Sequence, residues 1–151
     1  IFALMTSPKL HIELTEDPTE EIQTYLWDKL HIYGMQKVKD SNLSSVSFFS
    51  LLVKEKEKIV AGALCYLFFK GLNLQLLWVD DSLRGKNIGT RLLQRVEEEA
   101  KVRSATLVFG YSFGFQAPKF YLKYGYKQVG LIEDYPEGHN CYFLCKRLDM
   151  N

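Results

Sequence analysis

The sequence predicts an α/β fold: a mixed, mostly antiparallel sheet with helices on its faces. Three observations carry this. Residues 45–79 read as three apolar segments joined by short polar turns, the pattern of an antiparallel meander. From residue 88 onward helical and strand-like segments alternate, as crossover connections between strands require. Finally, 151 residues with 47% apolar and 25% charged side chains match an average soluble chain of one domain, taken here as residues 1–151.

Each element follows from its own pattern. Lys9 to Leu14 alternates polar and apolar and predicts a short first strand. Asp17 and Pro18 read as a helix start, a capping side chain followed by proline in the first turn. Ile22, Tyr25, Leu26, Leu30 and Tyr33 then form one apolar helical face, which Gly34 is placed to end. Lys37 to Ser45 is polar and predicts a loop. Ser45 to Lys54 predicts a strand, Glu55 to Lys58 a charged hairpin tip, and Ile59 to Phe69 a strand apolar enough to be covered on both faces. A KGLN turn leads into a third strand, Leu72 to Val79. After a polar loop, Ile88, Leu92, Leu93, Val96 and Ala100 form the apolar stripe of a second helix. Ala105 to Phe109 predicts a strand, Gly110 to Gln116 a glycine- and aromatic-rich loop, and Ala117 to Tyr124 a short helix closed by Gly125. Tyr126 to Ile132 and Cys141 to Leu148 predict the last two strands, with a polar loop between them.

Several classes are excluded. Nineteen Lys and Arg against eighteen Asp and Glu give a formal net charge of +1, which argues against a nucleic-acid or anionic-membrane partner. The run from Ile59 to Phe69 is too short to span a bilayer. Ile1 to Met5 lacks the basic region and apolar stretch of a secretory signal, so a cytoplasmic protein is expected. The three cysteines, Cys65, Cys141 and Cys145, form no C-x-x-C pair and suit reduced thiols. Cys141 and Cys145 share a strand face, but without a spaced histidine they read as small buried hydrophobes, and no metal is expected.

The informative segment runs from Trp78 to Leu93. An apolar strand enters a loop holding Arg84, Gly85, Lys86 and Gly89, and the loop opens a helix near Ile88. Such a turn leaves backbone N–H groups unpaired and pointing one way, and with the helix dipole they make an anion site. Arg84, Lys86 and Arg91 add positive charge. The loop matches neither the Walker A pattern nor G-x-G-x-x-G. An ordinary strand-to-helix turn with a basic rim explains it equally well.

A second segment changes the balance. Phe120-Tyr-Leu-Lys-Tyr-Gly-Tyr126 lies on a short helix about thirty residues downstream, after one more strand. Together with Arg84-Gly-Lys-Asn-Ile-Gly89, it resembles the GCN5-related N-acetyltransferase (GNAT) family. That family carries Q/R-x-x-G-x-G/A at a helix start and, one strand later, a helix with an FY-x-K-x-GF-like sequence. The resemblance is clear from Leu72 to Leu148. One position departs from it: Asn87 stands where the signature has its first glycine. Asn is the non-glycine residue most tolerant of left-handed backbone angles.

The resemblance implies a GNAT-like fold with a splayed parallel strand pair, here Leu72–Val79 and Ala105–Phe109, whose gap admits a thioester. It implies acetyl-coenzyme A as cosubstrate, with no metal. The pyrophosphate would be held by the backbone amides of Arg84, Gly85, Lys86, Asn87, Ile88, Gly89 and Thr90, and the pantetheine arm would lie against Leu77, Trp78 and Val79. Gln116 is a further cofactor-binding candidate. For Trp78 on its own, a place in the core is the expectation. Tyr121 matches the tyrosine that protonates the leaving thiolate, as the acetyl group passes directly to a primary amine in a ternary complex.

The family's strand glutamate has no counterpart, since this strand offers Asn73 and Gln75. Asp80, Asp81, Glu133, Asp134 and His139 are the other candidates for a base, each also explained as a loop former. Trp27, His31, Tyr33, Tyr135 and His139 fall in the segments that select the acceptor in this family, expected here to be a small-molecule or peptide amine. A homodimer through the strands near Cys141–Leu148 is compatible with the resemblance. The missing glutamate and Asn87 keep a second reading open, an acetyl-coenzyme A-binding sensor with weak or no turnover. An enzyme that acetylates charged tRNA is a third, through a basic patch of Arg84, Lys86, Arg91 and Arg95.

Overall fold

The structure, a computed structural model, describes residues 10–38 and 46–148. The chain divides into two compact units, residues 1–39 and 40–151.

In the first unit, α1 runs from Glu20 to Lys37. Its N-cap is Thr19, whose hydroxyl accepts from the Ile22 amide at 3.3 Å, and Glu20 and Glu21 complement the positive end of the helix. The expected start at Asp17 and Pro18 is therefore two residues early; Asp17 instead turns the chain with φ 49°. Gly34 does not end the helix either. Its carbonyl accepts from the Val38 amide, so the last turn closes beyond it. The expected strand over Lys9–Leu14 is not formed at Leu10–Leu14, and Lys9 lies outside the described residues, as does most of the loop after α1. A short alternating run becomes a strand only when a neighbour supplies its backbone partners.

The second unit is a six-stranded sheet of order β1-β2-β3-β4-β6-β5. Its strands are β1 Ser47–Glu55, β2 Lys58–Phe68, β3 Gly71–Val79, β4 Leu107–Phe113, β5 Lys127–Ile132 and β6 Cys141–Arg147. Only β3 and β4 run parallel; every other neighbouring pair is antiparallel. The β1–β2 hairpin is tighter than expected, since Glu55 pairs with Lys58 and leaves Lys56, at φ 55°, and Glu57 as the turn. β2 is buried from Val60 to Ala63, the both-faces cover its composition predicts, although Ile59 is exposed. β4 continues to Phe113, four residues past its expected end, because its ladder with β6 runs on to Phe113↔Cys141.

Helix α2, Ile88–Val102, follows β3, and α3, Pro118–Lys123, follows β4. The α2 stripe of Leu92, Leu93, Val96 and Ala100 is buried against Ala61, Ala63, Cys65, Leu67, Leu72 and Leu74 of the sheet. Burial pushes the Cys65 thiol up to about 11, so it stays a protonated small hydrophobe at neutral pH. Among the described residues no helix is long and apolar enough to cross a membrane.

Candidate active site

The end of β3 leads into the loop through a 3₁₀ turn at Asp81–Leu83. Asp80 builds this turn: its carboxylate accepts from both the amide and the hydroxyl of Ser82, and those bonds hold its pKa below the usual carboxylate range. Asp81 pairs with Arg84 at 3.0 Å. Both carboxylates thus shape the loop.

Gly85 (φ 78°) and Asn87 (φ 59°, ψ 18°) then place the backbone in the left-handed region, and α2 begins. The Asn87 side chain makes no capping bond. The first helical bond runs from the Arg91 amide to the Asn87 carbonyl at 3.0 Å. The amides of Ile88, Gly89 and Thr90 therefore precede the hydrogen-bonded ladder, at the positive end of a fifteen-residue helix. Lys86 and Arg91 make no ion pair among the described residues. Arg95, by contrast, is tied to Glu98 and Glu99. The expected four-residue basic patch therefore has two of its members engaged by carboxylates.

Left-handed angles cost an L-residue about 1–2 kcal/mol, least for Asn. Asn87→Ala is expected to destabilise the protein by about 1 kcal/mol, while Asn87→Gly leaves the midpoint of urea unfolding unchanged or raises it. Equal midpoints for the two variants would remove backbone angle as the reason for Asn at this position.

Beyond the loop the parallel strands part. β3 and β4 share only three register pairs, Gly71↔Leu107, Leu72↔Val108 and Asn73↔Phe109. At the end of the pairing Gly110 lies so close to β3 that a Cβ on it would stand 2.6 Å from the Leu74 carbonyl oxygen. Past this point a gap opens, with a cavity of about 10 Å³ lined by Leu74, Phe109, Gly110, Tyr111, Tyr121, Tyr126 and Leu144.

Tyr121 reaches this gap from α3. Its neighbour Phe120 turns to the other side and packs 3.7 Å from the Cβ position of Gly89. Adjacent helix positions face about 100° apart, which divides the two rings between loop and gap. The Tyr124 hydroxyl is 2.7 Å from the Thr90 hydroxyl and ties α3 to the first turn of α2. Burial raises the Tyr121 pKa, so its phenol stays protonated to higher pH than a free tyrosine.

Tyr126 meets Tyr121 edge to face at 5.5 Å and is 4% exposed. Its hydroxyl makes no hydrogen bond among the described residues. Burial and, after it, the Glu97 carboxylate raise its pKa, and Glu97 is itself held by Lys146 at 2.9 Å. An unpaired buried hydroxyl costs about 1–3 kcal/mol. Tyr126→Phe is therefore expected to stabilise the protein by about 1 kcal/mol in urea unfolding at neutral pH. A raised phenol pKa contributes stability below the unfolded value of 10.0 that is lost as pH rises through the folded value. The advantage of the variant should thus widen above pH 10. A net loss at neutral pH would mean that the hydroxyl donates to Glu97.

The other candidate residues are distributed as follows. Leu77 and Val79 pack against the core, while Trp78 points to the opposite face and is 46% exposed; the expectation that Trp78 fills the core is corrected by a bulge at Gln75, which interrupts the alternation set by Leu72 and Leu74 and turns Leu77 and Val79, in place of Leu76 and Trp78, toward the core. The Gln116 side chain accepts from the Phe113 amide at 2.8 Å and is engaged within its own loop. Asp134 accepts from the Gly138 amide at 2.7 Å. Glu133 is exposed. The His139 ring lies edge-on to Phe115 at 5.0 Å, and Tyr135 edge-on to Phe113 at 5.4 Å, so the end of β4 and the β5–β6 loop share one aromatic cluster. Trp27, His31 and Tyr33 lie on α1 in the other unit. Among the described residues no three His, Cys, Asp or Glu converge as metal ligands.

The gap between the parallel strands opens where the family resemblance implies it. The sequence pattern does not show its lining: Gly110, expected in a loop, lies inside β4 and marks the close backbone approach.

Comparison with known proteins gives four findings. Residues 47–128 match the model of the acetyltransferase (GNAT) domain. The chain is 34% identical over 95 residues to blasticidin-S acetyltransferase of Streptomyces morookaense, covering 62% of this chain and 70% of that protein. Among solved structures, an acetyltransferase from Bacillus cereus superposes with a TM-score of 0.78 at 37% identity, over 90% of this chain and 98% of that one. An aminoglycoside 6′-N-acetyltransferase complexed with coenzyme A shares the fold, with a TM-score of 0.60 at 18% identity over 91% and 97% of the chains.

Proposed function

The chain belongs to the GNAT acetyltransferase family, and on that premise we propose that it moves the acetyl group of acetyl-coenzyme A to a primary amine on a small molecule, with Tyr121 protonating the leaving thiolate. The observation that carries this reading is the juxtaposition of the amide-rich start of α2 with the gap between β3 and β4, into which Tyr121 projects.

The residues fit such a donor. The amides from Gly85 to Thr90 would meet the pyrophosphate, helped by Lys86 and the free end of the helix dipole; the Arg84 amide, expected among them, donates instead to the Asp81 carbonyl at 3.3 Å. The end of β3 at Leu77–Val79 has no parallel partner beyond Asn73 and leaves backbone groups for the pantetheine amides. The thioester then reaches the gap. The amine nitrogen attacks the carbonyl carbon, the new C–N bond forms as the C–S bond breaks, and the thiolate takes the Tyr121 proton. Tyr121 recovers a proton from solvent. The amine sheds its own proton to water; Asp80, Asp81 and Asp134 are engaged by the loops they shape, Glu133 is exposed, and the His139 ring packs on Phe115.

The aromatic cluster of Phe113, Phe115, Tyr135 and His139, with Glu133 and Glu137 beside it in sequence, suits a flat or cationic amine. Blasticidin-S acetyltransferase, named for a small-molecule substrate, supports that direction.

The test is calorimetric titration with acetyl-coenzyme A and with acetyl-pantetheine, which lacks the pyrophosphate, followed by a thiol-release assay on a panel of amines. Micromolar binding that requires the pyrophosphate, with thiol release on a small amine, is the expected result. No binding at millimolar acetyl-coenzyme A would refute the proposal.

A further inference from the structure

We propose that Thr90 and Tyr124 are positioning residues: the hydrogen bond between their hydroxyls sets where α3 holds the Tyr121 phenol relative to the amides that open α2. This rests on the donor reading above and adds to it two hydroxyls that act through Tyr121.

The need for such a tie lies in α3. That helix has six residues, no side chain caps its N-terminus, and none of its residues is fully buried. Isolated helices shorter than about 12–15 residues are marginal in water. Helix α2, by contrast, has fifteen residues and is anchored by Leu92, Leu93, Val96 and Ala100. Among the described residues, the one side-chain hydrogen bond between the two helices joins Thr90 Oγ1 and the Tyr124 hydroxyl at 2.7 Å. Both of its ends are placed to matter. Thr90 stands in the first turn of α2, among the amides that precede the hydrogen-bonded ladder, and β-branching confines its side chain to few rotamers. Tyr124 is the C-cap of α3, and its amide donates to the Tyr121 carbonyl at 3.0 Å. The bond therefore fastens the turn that begins at Tyr121. Phe120 packs into the same joint, edge-on to Tyr121 at 5.3 Å and to Tyr124 at 5.2 Å. A donor held by the amides beside Thr90 thus meets Tyr121 at a span that this bond fixes. Misplacing a catalytic group by about 1 Å costs up to about 10²-fold in rate.

The experiment compares the wild type with Thr90→Val, Thr90→Ser and Tyr124→Phe, the double variant Thr90→Val/Tyr124→Phe, and Tyr124→Phe with and without Tyr121→Phe. Calorimetric titration with coenzyme A reports the donor site and the integrity of each fold. Turnover is thiol release from acetyl-coenzyme A, with blasticidin S, tryptamine and spermidine as flat and cationic amines. Thr90→Val and Tyr124→Phe are each expected to lower kcat about tenfold and to leave the coenzyme A Kd within about twofold, since α2 keeps its amides in place. The double variant should fall no further than either single one, because both remove the same bond. Thr90→Ser keeps the hydroxyl and should keep kcat within about threefold of the wild type. In the Tyr121→Phe protein, adding Tyr124→Phe should change nothing more, a silence that a general loosening of the fold does not reproduce. Weaker coenzyme A binding by Thr90→Val alone, with Tyr124→Phe unaffected, would assign the Thr90 hydroxyl to the phosphate and overturn the tie. An equal loss from Tyr124→Phe with and without the Tyr121 hydroxyl overturns action through that phenol. Full turnover by both single variants overturns the positioning role and leaves the donor reading intact. Failure of the wild type to bind coenzyme A, or to release thiol with any of the three amines, overturns the reading on which the tie depends and the tie with it.

Discussion

Tyr121→Phe is expected to lower kcat by about 10²-fold or more, with the KM for acetyl-coenzyme A changed by less than about twofold. Positioned proton transfer contributes about 10²–10⁴-fold to a rate. The variant removes the proton and keeps the ring. Ring contacts made by Tyr121, edge-to-face with Phe120 at 5.3 Å and with Tyr126 at 5.5 Å, survive in phenylalanine, so the gap keeps its shape. The separation of kcat from KM is what identifies a group acting in the transition state. A second signature is pH dependence. Burial raises the Tyr121 pKa above its ordinary 10.0, so the proton-donating form persists through neutral and mildly alkaline pH. The rate of the wild type should fall only above about pH 10, and the variant should lack that alkaline limb. Full turnover by Tyr121→Phe on any acceptor would remove it as the acid.

The α2 stripe was legible in the sequence because helix periodicity is local, and Leu92, Leu93, Val96 and Ala100 are all buried as their spacing requires. The left-handed angle of Asn87 was legible for a similar reason: few residues other than glycine tolerate it. What escaped was set by pairing between distant segments. The β4 strand extends to Phe113 because β6 supplies a partner for every residue, and a Gly-rich, aromatic stretch gives no local sign of that. The exposed side of Trp78 follows from the bulge at Gln75, where β3 slips one residue against β2, and alternation counted from Leu72 and Leu74 gives no sign of it. The lining of the gap escaped for the same reason, since Leu74, Gly110, Tyr126 and Leu144 meet only through the sheet order. Likewise, the bonds that engage Asp80, Asp81 and Gln116 within their loops are matters of geometry that composition alone does not reveal.

Gly110→Ala should be the most damaging single-carbon change near the gap. The added Cβ would stand 2.6 Å from the Leu74 carbonyl oxygen, and the atom it meets is backbone, with no rotamer to escape into. Either β3 or β4 must move, at the point where their pairing ends. Forcing an extra carbon into packed structure costs about 1–3 kcal/mol. The variant is expected to lose that much in urea unfolding and to bind acetyl-coenzyme A at least tenfold more weakly, because the strand separation it changes is the one proposed to admit the thioester. Gly89→Ala supplies the contrast. Its Cβ would find Phe120 and Val79 at 3.7 Å, an ordinary contact, in the first turn of α2 where alanine favours the helix by up to about 1 kcal/mol. That protein should fold as well as the wild type or better, yet bind the donor less tightly, because the added carbon presses on Phe120 and Val79 and denies the backbone the close approach to a phosphate that glycine allows. Stability and binding thus fall together at Gly110 and separate at Gly89. If Gly110→Ala kept both wild-type stability and donor affinity, the strands would have to be free to adjust at the gap, and the close approach of Gly110 to the Leu74 carbonyl would not set their separation.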